Sequence, residues 1–265
     1  MLKPMSLMKP LYQFTVVALL SQSAWAEINI GKFDPLATGL PASWQLIRWE
    51  PSVPATRYRQ VLWDGVEAVE ARAESSMALL GRLVDVDLMQ TPVLCWRWRI
   101  DAVVRSADMS RRRGDDYAAR IYLAFSLPRD TISLAERASL ALARSIFGPQ
   151  LPDGAINYVW DNRHSPGTRM PNAYTSRAQM VVQRSGNTEA GIWVGERIHV
   201  LHDMEQAFGT TKGKLKLLAL GSDTDNTGEI ARAGFADIHF VSADQPCAHE
   251  RLGSVQASPG TSHAP

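Results

Sequence analysis

The sequence predicts an all-β protein, a two-sheet β-sandwich of jelly-roll type with one inserted helix. Three observations predict it. Short segments of alternating apolar and polar residues recur along most of the chain, separated by turn-rich loops. Neither a βαβ rhythm nor a glycine-rich phosphate loop interrupts them. A single run has helical character, and it sits between two strand segments.

The first element is an export signal over residues 1–26. Lys3 and Lys9 supply a positive start, residues 11–20 are largely apolar, and Ala24-Trp25-Ala26 fits a small-x-small cleavage site. The apolar core is shorter than the roughly 20 residues that span a bilayer. Removing Lys3 and Lys9, with no acid lost, turns the formal charge of +1 into −1. A near-neutral mature chain argues against nucleic acid as a partner. No later run is apolar enough for a transmembrane segment, so the expected location is periplasmic or secreted.

The sandwich itself is expected over residues 33–241, with a small, polar, disordered tail over 242–265. Weaker strand candidates lie at 44–48, 60–63, 66–73 and 76–80. The clearest is 93–100, in which Leu94, Trp96, Trp98 and Ile100 face one way and Cys95, Arg97 and Arg99 the other. Residues 117–126 repeat the design, with Ala119, Ile121, Leu123 and Phe125 opposite Arg120 and Tyr122. The helix follows: Ser133-Leu-Ala-Glu136 is a capping box, and Gly148-Pro149 stops the run after Phe147. Further strands are expected at 156–161, 177–184, 191–200 and 214–221. The closing strand, Phe235 to Phe240, is expected to put Phe235, Asp237 and His239 on one face.

Two cysteines, Cys95 and Cys247, permit one disulfide in an oxidising compartment, the other reading being a buried free thiol at Cys95. Between strands, 221–230 (Gly-Ser-Asp-Thr-Asp-Asn-Thr-Gly-Glu-Ile) forms an oxygen-rich turn. Asp223, Asp225, Thr227 and Gly228 match the start of an EF-hand loop, but Gly234 stands where its bidentate Glu belongs. Two readings stay open. One is an irregular structural calcium site of Asp223 and Asp225 completed by Asp237; the other is an Asx-rich turn holding its own backbone.

Alternation collects Arg97, Asp116, Arg120, Tyr122, His199, Asp223 and Asp237 on one polar face. Arginine forks and carboxylates suit polyols and uronates, and Trp160 and Trp193 are candidates for stacking on a sugar ring. The corresponding function is non-catalytic binding of a polysaccharide or another polyhydroxylated envelope component. Two alternatives use the same residues differently: a polysaccharide lyase or glycoside hydrolase in the same groove, or a structural envelope protein with a protein partner. No HExxH zinc motif and no GxSxG elbow is present. His164, His199, His202 and His239 remain as isolated bases, and Asp115-Asp116 as an acid pair.

A family resemblance joins these motifs. Trp96-Arg-Trp98, Gly114-Asp-Asp-Tyr-Ala-Ala-Arg120, Asn157-Tyr-Val-Trp160, Gly191-Ile-Trp193, Asp223-Thr-Asp-Asn-Thr227 and Asp237-Ile-His-Phe240, in this order, resemble the bacterial domain-of-unknown-function family numbered 3047. The likeness spans roughly residues 33–241. It implies a secreted or periplasmic protein and carries no activity. The last strand also resembles that of jelly-roll carbohydrate-binding modules, which would put forward Asp237 as a calcium ligand.

The export reading predicts a mature chain that begins at Glu27. N-terminal sequencing of protein from the periplasmic fraction checks it, and a chain still beginning at Met1 would refute cleavage.

Overall fold

The computed structural model describes residues 27–147 and 151–249, so the signal segment and residues 250–265 of the expected tail lie outside the described residues. Two sheets face each other. The six-stranded sheet contains β1 (Glu27–Gly31), β3 (Arg57–Trp63), β4 (Val66–Glu74), β6 (Val93–Ile100), β11 (Val194–His199) and β13 (Ile230–Val241), in the order β11-β6-β13-β4-β3 with β1 also on β13. The seven-stranded sheet contains β2 (Gln45–Ile47), β5 (Leu79–Val86), β7 (Tyr117–Ser126), β8 (Gly154–Asp161), β9 (Arg169–Asn172), β10 (Thr175–Ser185) and β12 (Lys214–Asp223), in the order β2-β5-β12-β7-β8-β10-β9. All pairings are antiparallel except β8 with β10. That exception arises because β9 folds back on the outer side of β10.

The core is the layer between the sheets, and aromatic rings fill its centre. Trp96 and Trp98 of β6 alternate with arginines and so project inward together. Trp96 stacks on Tyr158 with centroids 5.7 Å apart, and Trp98 meets Trp160 at 5.6 Å. Three of these rings have their polar atoms served nearby: Trp98 Nε1 donates to Glu196 Oε1 (3.0 Å), Trp160 Nε1 to the Gly186 carbonyl (2.9 Å), and the Tyr158 hydroxyl to Asp203 Oδ2 (2.9 Å), whereas Trp96 Nε1 is buried without a partner.

The expected helix is α1, Leu134–Phe147. Its capping box closes in both directions, with Glu136 N donating to Ser133 Oγ (3.2 Å) and Ser133 N to Glu136 Oε2 (2.9 Å). A second helix, α2 (Val200–Phe208), was not expected. Its N-cap is His199, which lacks the short side-chain oxygen that usually marks a start. Its stop is regular, with Gly209 in the left-handed region at φ 66°. Strands β1 and β9 were also missed; both are short, and each pairs with a single neighbour.

The closing strand departs from simple alternation. Phe235 and Phe240 both point into the core, although five residues apart in a period-two element. A bulge resolves the mismatch: the register to β6 shifts between Ala236 and His239, and Asp237 takes φ 53°. The single face expected for Phe235, Asp237 and His239 therefore does not exist.

The chain also stays packed beyond Ser242. Cys247 is fully buried and bonded to Cys95, with Cα atoms 5.8 Å apart, so of the two readings the disulfide is the one the structure contains. Ala248 N donates to His239 Nε2 (3.2 Å), which adds a second tie. The boundary of 242 set for the tail thus gives way to ordered structure through His249.

The bridge closes a long loop, with a sequence separation of 152. Cys247→Ser is expected to cost about 2–5 kcal/mol of stability, mainly through a freer unfolded chain. Denaturant melts check this: reductant should lower the wild type to the level of the variant and leave the variant unchanged.

Candidate functional site

The outer face of the seven-stranded sheet carries two distinct arrangements, both built on β7. Residues Arg120 and Tyr122 point outward from it, because Ala119, Ile121 and Leu123 fill the core. Gly221 of β12 lies opposite Arg120, and Ala219 opposite Tyr122.

At one end the face is closed over. The loop 101–116 folds across it and seats Tyr117 with Met109, Val159, Met180 and Val182 in a small apolar cluster. Arg120 is buried beneath this cover, its Nη2 3.2 Å from Asp223 Oδ2 and its guanidinium 5.7 Å from the Tyr117 ring. It lies flat over Gly221, where a Cβ would meet Arg120 Cγ and Leu79 Cδ2 at 2.8 Å each. The carboxylates of Asp115, Asp116 and Asp225 gather around the pair. Asp116 is fully buried and accepts from Asn226 N (3.3 Å) and Thr227 N (2.6 Å), so it caps the acidic turn. Asp115 accepts from the Tyr117 hydroxyl (3.1 Å) and from Asn172 Nδ2. Glu229, at the far end of the turn, accepts from Arg105 N and Ser106 N and so pins the start of the loop.

Burial pushes the Asp223 carboxyl well above the usual carboxylate range, against the pull of Arg120. Asp225 and Asp115 are raised for the same reason. Burial disfavours the Arg120 charge, but Asp223 and Asp115 outweigh it and raise its pKa further.

At the other end the face is open. A cleft of about 590 Å³ lies between the extension of β2 and the end of α1. Its floor holds Tyr122, Ala124, Leu83 and Leu217, with Lys216 beside them; Arg48 and half-buried Trp49 form one wall, and Arg144 and Asp153 the other. Burial pushes the Tyr122 hydroxyl up to about 12, so it is a neutral donor. Arg144 is tied to Asp153 (2.9 Å) and to the Leu151 carbonyl. Lys216 makes no ion pair among the described residues.

The residues singled out by sequence divide accordingly. Asp116, Arg120, Asp223 and Asp225 come together, but in a buried cluster. Tyr122 alone lines the cleft. Arg97 faces outward on the other sheet and pairs with Asp237, so Asp237 is absent from the acidic turn and does not complete it. Trp160 is 1% exposed inside the core and offers no stacking surface. Trp193 packs against Gly234 on the outer face of the six-stranded sheet, edge-on to Trp63, with its Nε1 bonded to the Trp63 carbonyl (3.0 Å). His199 caps α2 through Nδ1 (3.2 Å from His202 N). Among the other histidines, His164 bonds Asp161 (3.0 Å) and His202 bonds Gln206.

Sequence reasoning missed Trp49, Arg144, Asp153 and Lys216. One signal was available: Trp49 directly follows a weak edge strand and precedes Pro51, a position that leaves a large ring at a sheet margin.

The chain belongs to the family described as Protein of unknown function (DUF3047), whose profile matches residues 42–239. No curated protein matches the sequence. Two solved structures of similar shape are endoglucanase 3 of family GH12 from Trichoderma harzianum and a family 12 xyloglucanase from Bacillus licheniformis. The first is 4% identical and covers 84% of this chain and 99% of its own, at a TM-score of 0.38. The second is 9% identical and covers 81% and 91%, at 0.34. Likeness this low carries no functional argument.

Because Arg120 needs the space above Gly221, Gly221→Ala is expected to destabilise the protein by about 1–3 kcal/mol. Chemical denaturation checks it, and an unchanged midpoint would show that Arg120 is free to move.

Proposed function

We propose that this is an exported binding protein that takes a polyhydroxylated ligand, a glycan or a related envelope component, in the open cleft. The observation that carries the reading is the composition of the cleft. It combines two rings, Trp49 and Tyr122, with aliphatic floor residues and a rim of donors. Sugar rings offer apolar C–H faces and outward hydroxyls, and such surfaces match both halves. Leu83 is 73% exposed on the floor and gives it apolar surface. Lys216 and Arg48 add positive charge, which favours an acidic sugar.

Binding is favoured over glycoside hydrolysis by the carboxylates. A glycosidase needs two, about 5–10 Å apart across the groove. Asp153 is the one carboxylate among the described lining residues, and it already accepts from Leu127 N (2.9 Å) and pairs with Arg144. The disulfide suits an oxidising compartment, and no helix among the described residues is long and apolar enough to cross a bilayer.

Glycan-array binding with purified mature protein, followed by calorimetry on any hit, tests the reading. Trp49→Ala is expected to weaken the hit about tenfold or more, equivalent to about 1.4 kcal/mol. Failure to bind any neutral or acidic glycan, or wild-type affinity in Trp49→Ala, would overturn it.

A further inference from the structure

We infer that Asp116, Asp223 and Asp225 form a binding site for a divalent oxygen-loving cation, Ca²⁺ being the best match. This site is separate from the cleft and does not depend on the glycan reading. One carboxylate oxygen from each of the three residues lies within 4.8 Å of the others. An ion with bonds of about 2.3–2.6 Å accommodates ligand oxygens at that spacing.

A gathering of acids is not itself a site, and a second observation distinguishes this one. Asp223 is 2% exposed, and its Oδ1 is buried without a hydrogen-bond partner. Its Oδ2 is taken by Arg120. A buried carboxylate oxygen left unpaired is costly and calls for an explanation, and a bound ion among three carboxylates supplies one. The local charge points the same way. Asp115, Asp116, Asp223 and Asp225 surround Arg120, whose single charge acts on Asp115, Asp223 and Asp225 alike. With all four acids ionised the cluster carries three uncompensated negative charges. A divalent cation removes two of them, and burial makes each worth more than it would be in water.

The ligand chemistry selects the ion class. All three donors are carboxylate oxygens, with no histidine or thiol among them, which suits a hard cation rather than zinc or copper. Asp116 can coordinate while still capping the turn, since each carboxylate oxygen has lone pairs beyond those used by Asn226 N and Thr227 N. Asp225 is half-buried, which leaves a way in for the ion and its remaining waters.

Thermal melts of the mature protein test this, first after exhaustive chelation and then with Ca²⁺, Mg²⁺ or Mn²⁺ added back. At a hundredfold excess over Kd, Ca²⁺ is expected to raise Tm by about 5–10 °C. Asp225→Asn, the substitution at the most exposed ligand, should fold, match or exceed the chelated wild type, and lose most of that response. Equilibrium dialysis with ⁴⁵Ca²⁺ should find one ion per wild-type chain and far less on Asp225→Asn at the same free concentration. If no cation shifts Tm, the inference fails. It fails equally if the response survives in both Asp225→Asn and Asp116→Asn, because the ion would then sit elsewhere.

Discussion

The burial of Arg120 against Asp223 is the constraint around which one end of the molecule is arranged. A guanidinium and a carboxylate cannot be taken out of water cheaply, and one pair rarely compensates its own desolvation. Several features of the chain follow from that cost. Gly221 keeps the floor clear for the arginine. Tyr117 supplies a ring above it and donates its hydroxyl hydrogen bond to Asp115. Loop 101–116 covers the pair and is in turn held by Glu229, while Asp116 holds the turn that bears Glu229. Loop and turn thus clamp each other through two carboxylates acting on backbone N–H groups. The arrangement concentrates negative charge that Arg120 cannot balance alone.

The opposite outer face solves its charge problem differently. Glu70, on β4, is held by Arg59 and by Arg232. Arg232 and Arg99 both lie over the ring of Trp63, at 3.8 and 4.3 Å from its centroid. Burial alone would raise the Glu70 carboxyl, yet its two guanidinium partners outweigh this and hold it below its ordinary value. Positive and negative groups are closely matched there, and no unpaired carboxylate is left. Around Asp223, by contrast, four acids share one buried guanidinium and the Oδ1 of Asp223 has no partner.

Much of the architecture was legible because period-two alternation is strong wherever one strand face is buried. The pairs Trp96/Trp98 and Ile121/Leu123 announced both sheets, and Ser133 with Glu136 announced α1. What alternation cannot reveal is which sheet a strand joins. Arg97 and Arg120 look alike in sequence, each flanked by inward apolar residues, yet they lie on opposite outer surfaces of the sandwich. The single polar face expected from sequence therefore separates into two. The bulge at Asp237 was also hidden, since one inserted residue reverses the phase of everything after it without changing composition. Cover is the third hidden quantity. Trp160 and Trp193 read as available rings, but residues remote in sequence pack on each: Trp160 is buried against Trp98, and Trp193 is half-buried with Trp63 at its edge.

Two residues of one strand show how finely the fold divides its surface. Arg120 and Tyr122 are adjacent on the same face of β7, and their side chains differ in fate because the cover stops between them. Above Arg120 lie loop 101–116 and the Tyr117 cluster; above Tyr122 lies the cleft. A sheet face that is apolar at its floor, like Leu83 and Leu217, is ordinarily covered by a helix or a loop, because exposed aliphatic surface costs about 25 cal/mol per Å². Among the described residues neither device closes this end: α1 packs through Leu140, and Arg144 fastens it to Asp153 at the rim. The open floor is thus bounded by fixed walls, and fixed walls lower the ordering cost that a ligand must overcome. That combination of uncovered apolar floor and pinned rim is the physical basis for reading the cleft as a preformed binding surface.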